Sequence, residues 1–448
     1  MEAAVEFGLS RDGAGIMLDP GMGKTSISLA IIAVLLEAKA IRRVLVVAPL
    51  NTAKATWPAE VRKWTDFSHL KIATACEQDE AGRKRVCLDI SIQIVTVNPE
   101  SLQKVLEASW FSQTQFDLLI LDESTKFKDS TTKRFKALKK QLHTFSRRLI
   151  LTGTPVPNGL ADLFGQMYVV DFGQSLGKFI THFRNEFTYQ KPGDPWSYYL
   201  KPGAEETIYA RVKDRLMRLR AKDHLKLPEF IHVVRPVEFP PALWPEYKRL
   251  ERDYIARIQD VTVVGVTPAA AGNKLRQLAN GFVYTEDEAG VRQTTYVHSK
   301  KLDSLLELVD EMQGRPLLVG YEYRADASRI LDNVPGAVDF GADPKRLDYN
   351  IARFNAGDLP VAIGHPASIG HGLNLQEACH EICWYSDTWN LEYYIQFMDR
   401  VRRQGNPFPY VTVHHISATG TRDEKVAAVL ADKDLTQESF NSAILTPL

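Results

Sequence analysis

Short, nearly unbroken apolar runs recur through the first 155 residues, and between them the apolar positions fall at helical spacing. GIMLD (15–19), RVLVVAP (43–49), IQIVTV (92–97), DLLILDE (117–123) and RLILTG (148–153) read as strands. The stretches 24–39, 58–65, 99–108 and 131–142 read as helices. Strands without polar alternation, joined through helices, predict a parallel sheet covered on both faces. The pattern lapses over 160–297, where Pro192, Pro195, Pro202, Pro228, Pro240, Pro241 and Pro245 interrupt a stretch that reads as helices and loops. It resumes after Ser299 with PLLVGY (316–321), VAIGH (361–365), HEICWY (380–385) and YVTVHHI (410–416). The expected fold class is α/β. Two parallel-sheet lobes (1–159 and 298–448) enclose a mostly helical insertion (160–297), in keeping with 448 residues, more than one core ordinarily organises.

Composition refines this picture only slightly. Hydrophobic residues make up 44% and charged residues 25%, a usual globular balance. The opening MEAAVEFGLSRDG is not a signal peptide, and the apolar run at 29–36 is too short to span a bilayer. A soluble protein of the cytoplasm, without a membrane partner, is expected. Four cysteines are too few for a disulfide scaffold, and Cys379 and Cys383 in ACHEICWY read as strand residues, with no second pair at zinc spacing. The formal net charge is zero, yet 126–148 holds nine Lys/Arg and one acidic residue, Asp129. A second basic cluster, 211–226, includes Arg215, Arg218 and Arg220. Each cluster reads as a solvated face or as a phosphate-binding stripe.

Three motifs carry chemistry. In MLDPGMGKT, Gly21, Gly23, Lys24 and Thr25 follow a strand and open a helix, the context of a phosphate loop. Glycines let backbone N–H groups approach phosphate, Lys24 reaches the β/γ oxygens and Thr25 holds Mg²⁺; Leu18 replaces the first glycine of the usual pattern. In LLILDEST, Asp122 and Glu123 end an apolar strand, where a metal ligand and a water-activating base are placed. In YYIQFMDRVRRQGN, Gln396, Arg400 and Arg403 fall on one helical face, with Arg402 off it. Cations from a second lobe complete such a site when the lobes meet, which couples hydrolysis to motion.

In this order the motifs resemble the superfamily-2 helicases, specifically the Swi/Snf-type double-stranded DNA translocases, over essentially the whole chain. DPGMGKT resembles motif I, VVAPLNTAKATWPAEVRKW motif Ia, TVNPESL the Ib region, LDEST motif II and LTGTPVPN motif III. LRAKDHLKLPEF resembles the family's basic stretch; LWPEYKRL and NKLRQLANG resemble the helices after it. PLLVGYEYRADASRIL resembles motif IV, SIGHGLNLQEACHEICWYSDTWN motif V and QFMDRVRRQGN motif VI. The resemblance implies two RecA-like lobes and ATP with Mg²⁺ as cofactors. It implies ATP contacts at Lys24 and Thr25, metal and water activation at Asp122 and Glu123, and arginine fingers at Arg400 and Arg403, with Gln396 at the γ-phosphate. It further implies that Thr152 and Thr154 relay nucleotide state to the track. The backbone of that track would be gripped around Asn51 and Asn98, and by Gly370, Gly372, Asn374 and Trp389.

The chain departs from the family at three places. Thr125 stands where motif II usually has histidine, Ile369 and His371 stand among the motif V glycines, and the adenine-reading glutamine would fall at or before Met1. Loose discrimination between ATP and GTP is therefore expected. With no reader domain or zinc module in sight, the chain reads as a bare monomeric motor, like the compact versions of phages and bacteria, recruited by an unidentified protein. Duplex translocation is the leading reading. A strand-separating or annealing helicase on forked DNA or RNA is the second, although no Asn-Gly or Gly-Gly hairpin signal appears in 160–297. A nucleotide-dependent switch without turnover is the third, and intact Lys24, Glu123, Arg400 and Arg403 argue against it.

Overall fold

The computed structural model describes the chain except residues 193, 254, 259–260, 265–266, 287–291, 370–372 and 444–448. It divides into two compact units, Met1–Leu225 with Lys433–Leu448, and Lys226–Asp432.

The first unit is built on β1 (Gly13–Leu18), β2 (Val44–Val47), β3 (Ile72–Thr74), β4 (Ile94–Val97), β5 (Leu118–Asp122) and β6 (Arg147–Thr152). A hairpin follows, β7 (Thr188–Lys191) with β8 (Asp194–Leu200), and then β9 (Leu216–Leu219). The sheet order is β3-β4-β2-β5-β6-β1-β9, with every pairing parallel. Alternate residues of each strand feed opposite faces, as the pleat requires. Ile16, Leu18, Val44 and Val46 join the helix Lys24–Glu37 and Trp57 on one side. Met17, Leu45 and Val47 join Leu102, Leu138, Met167 and Ile208 on the other. Burial on both faces explains why these strands carry no polar alternation.

The second unit contains β10 (Glu229–Val237), the hairpins β11 (Ile255–Ile258)/β12 (Val261–Val264) and β13 (Phe282–Glu286)/β14 (Arg292–Tyr296), then β15 (Leu317–Gly320), β16 (Val338–Asp339), β17 (Val361–Gly364), β18 (Glu381–Trp384) and β19 (Tyr410–Ala418). Its sheet runs β10-β19-β18-β15-β17-β16, again all parallel. Leu317, Val319, Ile363 and Cys383 pack to one face, and Leu318, Ala362, Ile382 and Trp384 to the other. All four cysteines are buried thiols.

Two parallel-sheet lobes of an α/β fold are thus present. Over 160–297 the expected helices are accompanied by strands β7 to β14, and the unit boundary at Leu225/Lys226 falls inside that stretch. β9 completes the first sheet and β10 the second, both as edges. An edge strand tolerates proline, and β10 contains Pro236 while exposing much of its length. Proline breaks therefore read there as loop. Among the described residues no helix is long and apolar enough to cross a membrane.

Candidate nucleotide site and track contacts

The phosphate loop leaves β1 at Leu18 and enters the helix Lys24–Glu37. Gly21 (φ 82°) and Gly23 (φ 76°) hold left-handed conformations that other residues adopt at a cost, which turns the chain between β1 and the helix Lys24–Glu37. Lys24 Nζ donates to the Leu18 carbonyl at 3.0 Å, so the residue that replaces the usual first glycine supplies the lysine's anchor through its backbone. Gly153, from the segment after β6, closes on the same loop. A Cβ there would lie 3.2 Å from Pro20 Cδ, 3.3 Å from Leu18 O and 3.7 Å from Lys24 Nζ.

At the C-terminal end of β5, Asp122 is buried and accepts a hydrogen bond from Trp57 Nε1 at 2.9 Å. Burial, followed by repulsion from Glu123, pushes its carboxyl up to about 6. Glu123 has a left-handed backbone (φ 62°), rare for a side chain with a Cβ and typical of positions where geometry serves function. Thr152 Oγ1, ending β6, donates to Glu123 Oε2 at 3.3 Å and accepts from the Thr154 N–H at 3.2 Å. Ser124 Oγ donates to Gln166 Oε1 at 2.7 Å, and Gln166 Nε2 donates to Pro155 O at 2.7 Å, tying the segments after β5 and β6 together.

These residues fit ATP with a divalent cation. The loop offers N–H groups and Lys24 to phosphate, and Asp122, whose charged form is disfavoured by burial, gains most from a cation beside it. Thr25 and Asp122 would hold Mg²⁺, which would neutralise phosphate charge.

One element of the site was not foreseen. Arg218, on β9, is buried, pairs with Asp19 of the phosphate loop and donates to Gly153 O at 3.3 Å. Asp19 Oδ2 also accepts from the Ala221 N–H at 2.7 Å. Arg218 thus lies within the fold and not on a phosphate-binding surface. Arg148 is buried too, donating to Phe145 O at 2.9 Å. The signal available was Arg218's place between the apolar Met217 and Leu219.

In the second unit the helix Leu391–Met398 ends before the arginines. Of the helical-face relation expected for 396, 400 and 403, the link from Arg400 Nε to Gln396 O at 2.8 Å is present, while Arg403 joins Arg400 by a different convergence. Arg400 Nη1 and Arg403 Nη1 both donate to Leu373 O, at 3.4 and 3.0 Å, and Arg403 also binds Asn374 Oδ1. Arg402 turns away to Asp399 at 3.3 Å and over the Phe230 ring at 4.3 Å. Gln396 is buried and donates to Glu392 Oε1 at 3.3 Å.

The expected track residues fall in both units. Asn51 is exposed, whereas Asn98 is buried and donates to Glu100 Oε2 at 2.7 Å. The Ia and Ib regions are joined by Thr96 Oγ1, which donates to Ala53 O at 2.8 Å. Trp389 is half-buried, with the Arg276 guanidinium 5.5 Å from its ring. Gly370 and Gly372 lie outside the described residues.

The SNF2-related domain family matches residues 3–276. Protein p41 of Acyrthosiphon pisum secondary endosymbiont phage 1 is 33% identical over 423 residues, covering 91% of this chain and 89% of that protein. The Saccharomyces cerevisiae DNA repair and recombination protein RDH54 is 25% identical over 468 residues, and the chain spans 49% of its length. The Sulfolobus solfataricus SWI2/SNF2 ATPase core, solved in complex with dsDNA, aligns over 98% of this chain and 91% of its own, at 22% identity and a TM-score of 0.44. From the match over 3–276 and the identity along nearly the whole phage protein, the chain belongs to the SNF2-related family.

Proposed function

We propose that this protein is a DNA-dependent ATPase that translocates on double-stranded DNA, with Mg²⁺ as its metal, and so remodels DNA or DNA-bound protein. The observation that carries the reading is the gathering of Lys24, Asp122, Glu123 and Thr152 at the C-terminal edge of one parallel sheet, where open α/β sheets bind ligands. Lys24 faces the β/γ-phosphates. Glu123 accepts the proton of the attacking water, and Thr152 fixes which way its carboxylate points. Arg400 and Arg403 act as arginine fingers, a contribution of roughly 10³–10⁵ in rate. Membership of the family and the repair and recombination role in RDH54's name support a DNA track.

A second reading, strand separation or annealing on forked DNA or RNA, is favoured by one observation: the hairpin β7/β8 stands in the middle stretch although no Asn-Gly or Gly-Gly pair marks it. Displacement of a third strand from a linear duplex tests the two. ATP-driven displacement without unwinding of a fork supports duplex translocation; fork unwinding without triplex displacement supports the second reading.

A further inference from the structure

Among the described residues of the first unit, the exposed rings other than Trp64 lie in one short stretch of the chain. Phe179 is 57% exposed, Tyr189 43% and Tyr198 45%. Large exposed rings gathered in this way mark a binding surface more often than chance. Phe179 is the N-cap of the helix Ile180–Phe187, and Tyr189 and Tyr198 lie on opposite faces of the hairpin that the helix feeds directly.

Cations accompany these rings. The Arg184 guanidinium lies 4.3 Å from the Tyr198 ring, Lys191 Nζ 4.0 Å from the Tyr199 ring, and Lys139 Nζ 5.3 Å from the Phe179 ring. Tyr189 and Tyr199, opposite each other across the hairpin, have ring centroids 5.8 Å apart. Lys139 belongs to the helix Lys133–Gln141, whose sequence KRFKALKKQ contains no acid, and it donates to Lys178 O at 3.4 Å. Lys133, Lys136, Lys139 and Lys140 are exposed. Their helix is held to the core by Phe135, Ala137 and Leu138, so packing fixes which face the lysines present. Lys139 thereby links this helix to Phe179, the N-cap of the helix that feeds the hairpin.

We propose that the hairpin β7/β8, on the face that carries Tyr189, Tyr199 and Lys191, is a binding surface for an unpaired nucleic-acid strand. Phosphates of a duplex would need only the lysines. Exposed rings paired with cations match a single strand, whose bases offer π faces while its backbone offers charge. The placement rests on the proposed DNA track and adds to it a site for a single-stranded extension adjoining the duplex, remote in sequence from the expected grip residues.

The test compares binding of a blunt duplex with binding of the same duplex carrying a single-stranded oligo-dT extension of about ten nucleotides, within the usual site sizes. The wild type is expected to prefer the tailed duplex by about tenfold, the effect of roughly one stacked base. Tyr189→Ala with Tyr199→Ala, the pair that shares one face, removes that preference and leaves blunt-duplex affinity unchanged, while the corresponding Phe pair keeps it. Lys191→Ala lowers the salt slope for the tailed probe by roughly 0.7, the contribution of one single-strand phosphate. A wild type that binds blunt duplex without preferring the tail, or an alanine pair that keeps the preference, overturns this site alone and leaves the rings to a protein partner. Binding to neither duplex overturns the site together with the DNA track.

Discussion

Thr152 Oγ1 donates a hydrogen bond to Glu123 Oε2 at 3.3 Å, across the tips of neighbouring strands, while accepting from the Thr154 N–H. The hydroxyl therefore fixes one carboxylate oxygen of the proposed base and leaves the other for water. Glu123→Gln is expected to bind ATP as the wild type does and to turn it over at least a hundredfold more slowly, the usual cost of removing a positioned base. Thr152→Val loses the orienting bond and should lower kcat by roughly tenfold with ATP affinity intact, on the order of one hydrogen bond to a charged group. Thr152→Ser should restore it. Single-turnover hydrolysis beside equilibrium ATP binding separates the two effects.

The Asp122 carboxyl, held up to about 6 by burial and by Glu123, gives pH dependences of opposite sign with and without metal. Because the folded form retains its proton above the ordinary carboxylate range, this group contributes stability to the metal-free protein at acid pH. That contribution is lost as pH rises through about 6. Asp122→Asn should flatten this component, seen as the difference between the two proteins' Tm values across that range. Mg²⁺ requires the charged form, so its apparent affinity should fall about tenfold per pH unit below that point. An Mg²⁺ affinity flat down to pH 5 would contradict the assignment.

Arg400 and Arg403 share the Leu373 carbonyl, whereas Arg402 is engaged by Asp399 and Phe230. Alanine at 400 or 403 should each cost several kcal/mol of transition-state stabilisation, approaching the arginine-finger effect, with little loss of ATP affinity. Alanine at 402 should cost much less. Steady-state kinetics of the three variants checks the split, and equal losses at all three would refute it.

The Asp19–Arg218 pair braces the phosphate loop against the sheet's edge. Arg218 retains 3% of its side-chain surface and Asp19 26%, so breaking the pair from the Asp19 side leaves a buried cation. Asp19→Ala should destabilise the first unit by about 3 kcal/mol, the low end for such a pair because Asp19 is partly solvated. Arg218→Met together with Asp19→Leu should recover much of that loss. Urea unfolding of the single and double variants measures it.

The parts legible in the sequence are those where backbone requirements leave few alternatives. β1, β2, β4, β5 and β6 are buried on both faces, so their apolar runs stand out, and the phosphate loop announces itself through glycines that must turn left-handed. Edge elements left no such signal. β10 alternates in exposure, carries Pro236 and is recognised only by its register with Tyr410–Ala418. Charge misled for a related reason: Arg148 and Arg218 are basic in the sequence but buried on carbonyls and on Asp19. Helical spacing beyond Met398 misled because the Arg400 N–H bonds to Phe397 O and its carbonyl accepts from the Leu375 N–H, diverting the chain out of the helix. Long-range partners of this kind are invisible to a local pattern.

The most direct test of a duplex-tracking motor is the steady-state ATPase rate of the intact protein, measured without nucleic acid and with single-stranded DNA, duplex DNA and RNA. Duplex DNA should stimulate most, with affinity falling along log salt at a slope of about −0.9 per phosphate contacted. Lys24→Ala should be inactive under every condition. Stronger stimulation by single strands or by RNA, or a rate indifferent to all four conditions, would contradict the account.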